Sequence, residues 1–196
     1  MRLIDERESK SGLSDNQFGF RKGRSTVHAI EKVKNTICSY PEKWCLLITL
    51  DVRNAFNSAN WSLIMEKLEW WGISRYLVNL IGDYLSDRQL QIESGERITI
   101  AAGVPQGSLL GTILWNILFD DIFHIELSTR ASTLGYAYDL ALIVAANNEI
   151  DLMIKGNESL GRLNDWLVNN KLQLGPAKSE AIILKGSRMR QHLKSK

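Results

Sequence analysis

Cysteine is nearly missing from these 196 residues: Cys38 and Cys45 stand seven apart with no CxxC between them. Neither a disulfide framework nor a zinc knuckle is indicated, and both are read as reduced packing residues. The three histidines, at 28, 124 and 192, are scattered and offer no zinc spacing. No run of 18 apolar residues occurs, and the opening MRLIDERESK has no apolar signal core. The chain therefore reads as intracellular, cytoplasmic or nuclear, with no membrane segment. Internal repeats and low-complexity linkers are absent too. An excess of one charge sign is equally lacking, since the formal net charge is only +2. That excludes a uniformly basic nucleic-acid glove, although KGSRMRQHLKSK, residues 185–196, carries five basic residues and no acidic one. Residues 186–196 are read as a basic, disordered tail.

What is present is enough apolar residue, 44%, to bury the core of one ordinary domain or of a piece of something larger. Val27, Ile30, Val33 and Ile37 fall at helical spacing behind Ser25 and Thr26 as caps, which predicts a helix over 26–38. WCLLITLDV, 44–52, is a short apolar run that suits a buried strand delivering Asp51 at its end. Trp61, Ile64, Leu68 and Trp71 predict a helix stopped by Gly72, and a second helix covers 74–85. Leu90, Ile92, Ile98 and Ile100 alternate about Gly95 as a hairpin. GVPQGS opens a long apolar helix over 109–125, GYAYDLALIVAA reads as strand, turn, strand, 149–170 as a helix, and 181–184 as a strand. Interleaved strands and helices argue for a layered α/β or α+β domain.

Two-metal phosphoryl transfer needs carboxylates from different elements converging on one pair of divalent ions, so that attacking and leaving oxygens are clamped together. A strand end and a hairpin tip build such a place, which makes Asp51 and Asp139 candidates. Taken singly, each is more simply a turn aspartate.

In combination they match a known order. QFGFRKGRSTVHAI, LDVRNAFNSANW, GVPQGSLLGTILWNILFDDI, GYAYDLALIV and NKLQLGPAKSEAIIL resemble, in sequence and spacing, the reverse transcriptases of non-LTR (LINE-like) retrotransposons, especially the jockey-like type. The five blocks cover roughly residues 14–185. The resemblance implies an α+β fold, the right-hand polymerase palm with part of the fingers, its antiparallel sheet packed on helices. Residues 1–43 would be the rear of the fingers and 44–185 the palm.

The same resemblance implies roles. Asp51 and Asp139 would be catalytic metal ligands for Mg²⁺, helped by the Val52 carbonyl. Phe56 would be the sugar gate, its ring clashing with a 2′-hydroxyl so that deoxynucleotides are preferred; without the resemblance it is a core aromatic. Gly103, Pro105, Gln106 and Gly107 would shape the loop that touches template and incoming nucleotide, with Lys178 near the departing pyrophosphate. Arg21, Lys22 and Arg24 would meet template phosphates, or else form an ordinary solvated loop. An RNA template, a DNA primer and dNTP are the implied partners.

One letter departs from the pattern. Where the family has tyrosine, alanine and two aspartates, this chain has Tyr136, Ala137, Tyr138 and Asp139. A phenol with a pKa near 10 supplies no anionic ligand at neutral pH. If the lost ion site is worth on the order of 5 kcal/mol in the transition state, chemistry slows by roughly 10³–10⁴. Asp120 and Asp121, late in the apolar helix, are read as surface acids that cannot substitute. Thr112 and His28, where the family more often has proline and aspartate, are tolerable changes. The family's front fingers and thumb are expected to lie outside these residues, leaving Trp70, Trp71 and Trp115 as candidates for exposed surface. Endonuclease, RNase H and zinc-knuckle blocks are not seen. Two readings remain: a fragment of an RNA-directed DNA polymerase whose activity the tyrosine removes, or a non-catalytic transposon remnant that at most binds RNA–DNA hybrid.

Overall fold

The expected first helix, α1, runs over Thr26–Ser39, and the Ser25 hydroxyl caps it by accepting the His28 N–H. The computed structural model describes Leu3 and residues 12–185, so the basic tail at 186–196 lies outside the described residues. After α1 come β1 (Trp44–Asp51), α2 (Ala55–Ser58), α3 (Trp61–Trp70), α4 (Arg75–Leu85), β2 (Gln89–Gln91), β3 (Arg97–Thr99) and α5 (Leu109–Phe119). A 3₁₀ turn over Asp120–His124 leads to β4 (Ala131–Tyr136), β5 (Asp139–Ala146), α6 (Glu149–Asn169), a second 3₁₀ turn at Pro176–Lys178, and β6 (Glu180–Lys185). The fold is α+β, with antiparallel sheet packed on helices.

Two compact units interleave along the chain, one of Met1–Ser14 with Asn54–Asp120 and one of Asp15–Arg53 with Asp121–Lys196. The second holds the main sheet, in the order β4-β5-β1-β6, every neighbouring pair antiparallel. Strand β5 reads as a continuous apolar run because it is covered on both faces, and Leu140 and Leu142–Ala146 are all buried. Alternation sorts β1 the same way. Cys45 points to the face where Phe18, Ile37, Leu134 and Ile143 form a buried cluster against Ala29 and Val33 of α1. Leu46 points to the opposite face, against Gly156 of α6. Each fully buried aliphatic side chain contributes about 1.5–3 kcal/mol, so a one-residue slip of β1 would expose one set and bury Thr49. Both cysteines are free, as expected.

The first unit is helical. Ile64 and Leu68 of α3 are buried, as are Leu77, Val78, Ile81 and Leu85 of α4, and α5 is buried nearly all round from Leu114 to Phe119. The β2–β3 hairpin turns at Gly95, whose φ is 87°, as its sequence pattern predicts. Two expectations fail here. The helix after GVPQGS ends at Phe119 and tightens, because Asp120 is not a surface acid: it is 2% exposed, and its carboxylate accepts the Ser14 N–H at 2.7 Å. Of the three tryptophans, Trp70 is 79% exposed, but Trp71 and Trp115 are core residues. Among the described residues, no helix is long and apolar enough to cross a membrane.

Candidate active site

Strand β1 ends where β5 begins, and the register pairs Asp51 directly with Asp139. Cross-strand partners share a face with their Cβ atoms about 4.5–5.5 Å apart, so two like charges meet at the rim of the sheet. The turn between β4 and β5 has only Ala137 and Tyr138 at its centre, and Ala137 takes a left-handed φ of 62°. Asp51 is well shielded, with a side chain 13% exposed, while Asp139 keeps more solvent access. Burial first, and the Asp51 carboxylate second, push the Asp139 pKa above its ordinary 3.8, and the Lys178 ammonium pulls the other way.

The chain returns to this point after α6. Val52 pairs with Leu174, the Arg53 N–H donates to the Gln173 carbonyl, and the Gly175 N–H donates to the Asp51 carbonyl at 2.8 Å. Because residues 51 and 53 face this returning segment, alternation leaves the Val52 carbonyl on the other edge of the strand. Gly175 passes so close that a Cβ on it would sit 2.7 Å from Asp51 Oδ2. Three residues later Lys178 brings its Nζ to 3.6 Å from the same oxygen. Asp51, Asp139, Lys178 and Tyr136 thus line a cavity of about 330 Å³ together with Val33 and Thr49.

The donor set decides what could bind. Two facing carboxylates with one backbone carbonyl nearby suit a single hard divalent cation completed by water. They offer little to a pair, because the neighbouring turn residue Tyr138 brings no carboxylate and among the described residues no three His, Cys, Asp or Glu side chains group to hold a metal. Asp120 is engaged elsewhere, its carboxylate accepting the Ser14 N–H within the helical unit.

The expected basic loop is partly engaged by the chain itself. Arg24 pairs with the Asp15 carboxylate, donates to the Asp15 carbonyl at 2.7 Å and lies over the Phe18 ring at 5.0 Å. Arg21 donates to the Gln17 carbonyl at 3.2 Å, whereas Lys22 is exposed. Sequence reading missed Gln17, which is buried beside the β4–β5 turn. The only local signal is an amide placed just ahead of the Phe-Gly pair in QFGF.

The remaining expected residues belong to the helical unit. The GVPQGS loop is laced to the segment carrying Phe56: Val104 N–H donates to the Phe56 carbonyl at 2.8 Å and Gly103 N–H to the Ala59 carbonyl at 2.7 Å. A Cβ on Gly103 would meet the Asn57 carbonyl at 3.0 Å, so glycine is needed for that approach. Gln106 and Gly107 stand exposed at the turn. The Phe56 ring is buried and stacked on Trp115, centroids 5.8 Å apart, as a core aromatic would be.

The chain matches the family described as Reverse transcriptase (RNA-dependent DNA polymerase) over residues 2–193. It is similar to a 115 kDa protein of the type-1 retrotransposable element R1DM of Drosophila melanogaster, 29% identical over 174 residues that cover 87% of this chain and 17% of the relative. It is also similar to the RNA-directed DNA polymerase from mobile element jockey of Drosophila funebris, 25% identical over 188 residues, 90% of this chain and 20% of the relative. The chain therefore spans about a fifth of its relatives' length. Its fold is like that of telomerase from Candida tropicalis, solved in complex with the TWJ fragment of telomeric RNA, with a TM-score of 0.66 at 13% identity, covering 93% of this chain and 32% of that one. A family match across almost the whole sequence, retrotransposon relatives aligned over most of it and a shared polymerase fold lead to one conclusion: the chain belongs to the reverse transcriptase family, of the non-LTR retrotransposon kind.

Proposed function

We propose that this fold descends from an RNA-templated DNA polymerase and that the present chain has lost most of its catalytic power at residue 138. In this reading residues 44–185 are the palm and 1–43 the rear of the fingers. The reaction is nucleotidyl transfer, in which a primer 3′-hydroxyl attacks the α-phosphorus of a dNTP and pyrophosphate leaves. Mg²⁺, when bound, supplies electrostatic stabilisation of the attacking and leaving oxygens. Asp51, Asp139 and the Val52 carbonyl would hold it, and Lys178 would meet the departing pyrophosphate, a role supported by its Nζ standing 3.6 Å from Asp51 Oδ2. Phe56 as sugar gate, Gln106 and Gly107 against template and nucleotide, and Lys22 with Arg21 and Arg24 against template phosphates complete the assignment.

The observation that carries the reading is the Asp51–Asp139 cross-strand pair with a tyrosine, not an acid, beside it in the turn. In this reading a phenol there, in place of a carboxylate, leaves one ion site where the reaction needs two. The second reading, a remnant that binds hybrid without chemistry, is favoured by that tyrosine and by the pairing of Arg21 and Arg24 with groups of the chain itself. Calorimetric titration with Mn²⁺ separates the two. Under the polymerase reading the chain binds one ion and its Tyr138→Asp variant binds two. A folded Tyr138→Asp chain that binds no more Mn²⁺ than its parent would count against catalytic descent at this site. Template-dependent incorporation by the unaltered chain would count against its loss of activity.

A further inference from the structure

The turn carrying Tyr138 and Asp139 is held from outside its own hairpin. Gln17 is 0% exposed, and both ends of its amide are engaged: Nε2 donates to the Ala137 carbonyl at 3.2 Å and Oε1 accepts the Gly19 N–H at 3.1 Å. Around it the Phe18 N–H donates to the Gly135 carbonyl and the Gly135 N–H to the Asn16 carbonyl, each at 2.8 Å, so residues 16–18 run alongside β4. Gly19 passes so near the turn that a Cβ on it would lie 1.9 Å from the Ala137 nitrogen.

Two physical facts make this more than packing. Burying an amide costs about 1–3 kcal/mol unless its donors and acceptors are paired, so a residue that only filled space here would be apolar. Ala137 at φ 62° is strained, and a non-glycine residue stays in that region only when its surroundings over-determine it. The Gln17 amide fixes the carbonyl of that strained residue.

We propose that Gln17 is a positioning residue of the candidate active site: acting through the Ala137 carbonyl, it locks the two-residue turn and so sets where Tyr138 and Asp139 stand relative to Asp51. Glutamate cannot do this, since it lacks the donor, and methionine lacks both groups. Arg21 adds to the same lock by donating to the Gln17 carbonyl. The functional meaning rests on the reading above, but the lock is tested without metal or nucleotide, so the two stand or fall separately.

The test is hydrogen–deuterium exchange, resolved by peptide, on the full 196-residue chain. Gln17→Met is expected to speed exchange at residues 135–139 at least ~10-fold, with the 142–145 ladder of β5 unchanged. Gln17→Glu is expected to loosen 137–139 while Gly19 stays protected. Adding Ala137→Gly to Gln17→Met, which removes the strain, is expected to restore most of the protection. A turn as protected in Gln17→Met as in the parent, or acceleration spread evenly over all of β5, would overturn the proposal. So would a double variant as loose as Gln17→Met alone. Should Gln17→Met not fold, the same comparison is made with Gln17→Glu in the Ala137→Gly background.

Discussion

Asp51 and Asp139 are direct cross-strand neighbours, the last residue of β1 opposite the first of β5, and the Asp51 carboxylate therefore raises the cost of ionising Asp139. Nothing about a sheet edge requires two acids there. Folding alone would favour a neutral residue at one of the two positions, which makes the pair a reason to expect measurable electrostatics.

The Asp139 pKa lies above its ordinary value, so the folded state favours the protonated form. The stabilising contribution of that shift is complete below the ordinary 3.8 and is lost as pH rises through the folded value. Asp139→Asn is accordingly expected to raise the thermal midpoint at pH 7 by ~1–2 °C, with no gain at pH 3. Thermal unfolding at the two pH values checks this, and an equal change at both would contradict it.

Lys178 reaches Asp51 from an exposed position, which limits the worth of the pair to about 0–1 kcal/mol. Lys178→Met should leave urea stability almost unchanged at ordinary salt. It should also tighten Mn²⁺ binding several-fold, because a competing cation is gone from Asp51 Oδ2. Weaker Mn²⁺ binding in the variant would show that the lysine does not compete at this carboxylate.

Gly19 and Gly175 make a contrasting pair. A Cβ on Gly19 meets backbone at 1.9 Å, whereas one on Gly175 meets the Asp51 side chain at 2.7 Å. Backbone cannot step aside and a carboxylate can. Gly19→Ala is expected to cost about 2–4 kcal/mol and Gly175→Ala about 1 kcal/mol, by chemical denaturation.

Phe56 is stacked on Trp115 in the helical unit, and truncation leaves a cavity there. Phe56→Ala should lose about 3–5 kcal/mol. A loss under about 1 kcal/mol would argue that the ring is held for a ligand and not for the core.

Much of the fold was legible because its signals are local. Strand β1, the β4–β5 hairpin, α6 and the stop at Gly72 follow from apolar spacing and turn chemistry within a few residues. The acids Asp51 and Asp139 could be named, but their register could not, since pairing across the sheet is decided by which faces are buried. Long-range contacts stayed hidden for the same reason. Asp120 looked like a surface acid until the distant Ser14 N–H was found on it, and Trp115 looked exposed until α5 proved buried on every side. Gln17 gave no periodic signal, because its partners Ala137 and Gly19 are backbone groups, which any residue offers.

The interleaving of the two units has a consequence for how the chain is made. β1 leaves the ribosome well before its partner β5, which lies about 90 residues later, beyond the Asn54–Asp120 part of the helical unit. At synthesis rates of roughly 5–20 residues per second, that strand waits about 5–20 s with Leu46, Ile48 and Leu50 unpaired. Residues 54–120 of the helical unit are all synthesised in that interval. Cotranslational folding should then be ordered, helices before sheet, and the nascent β1 is where a holding chaperone would find its apolar handle.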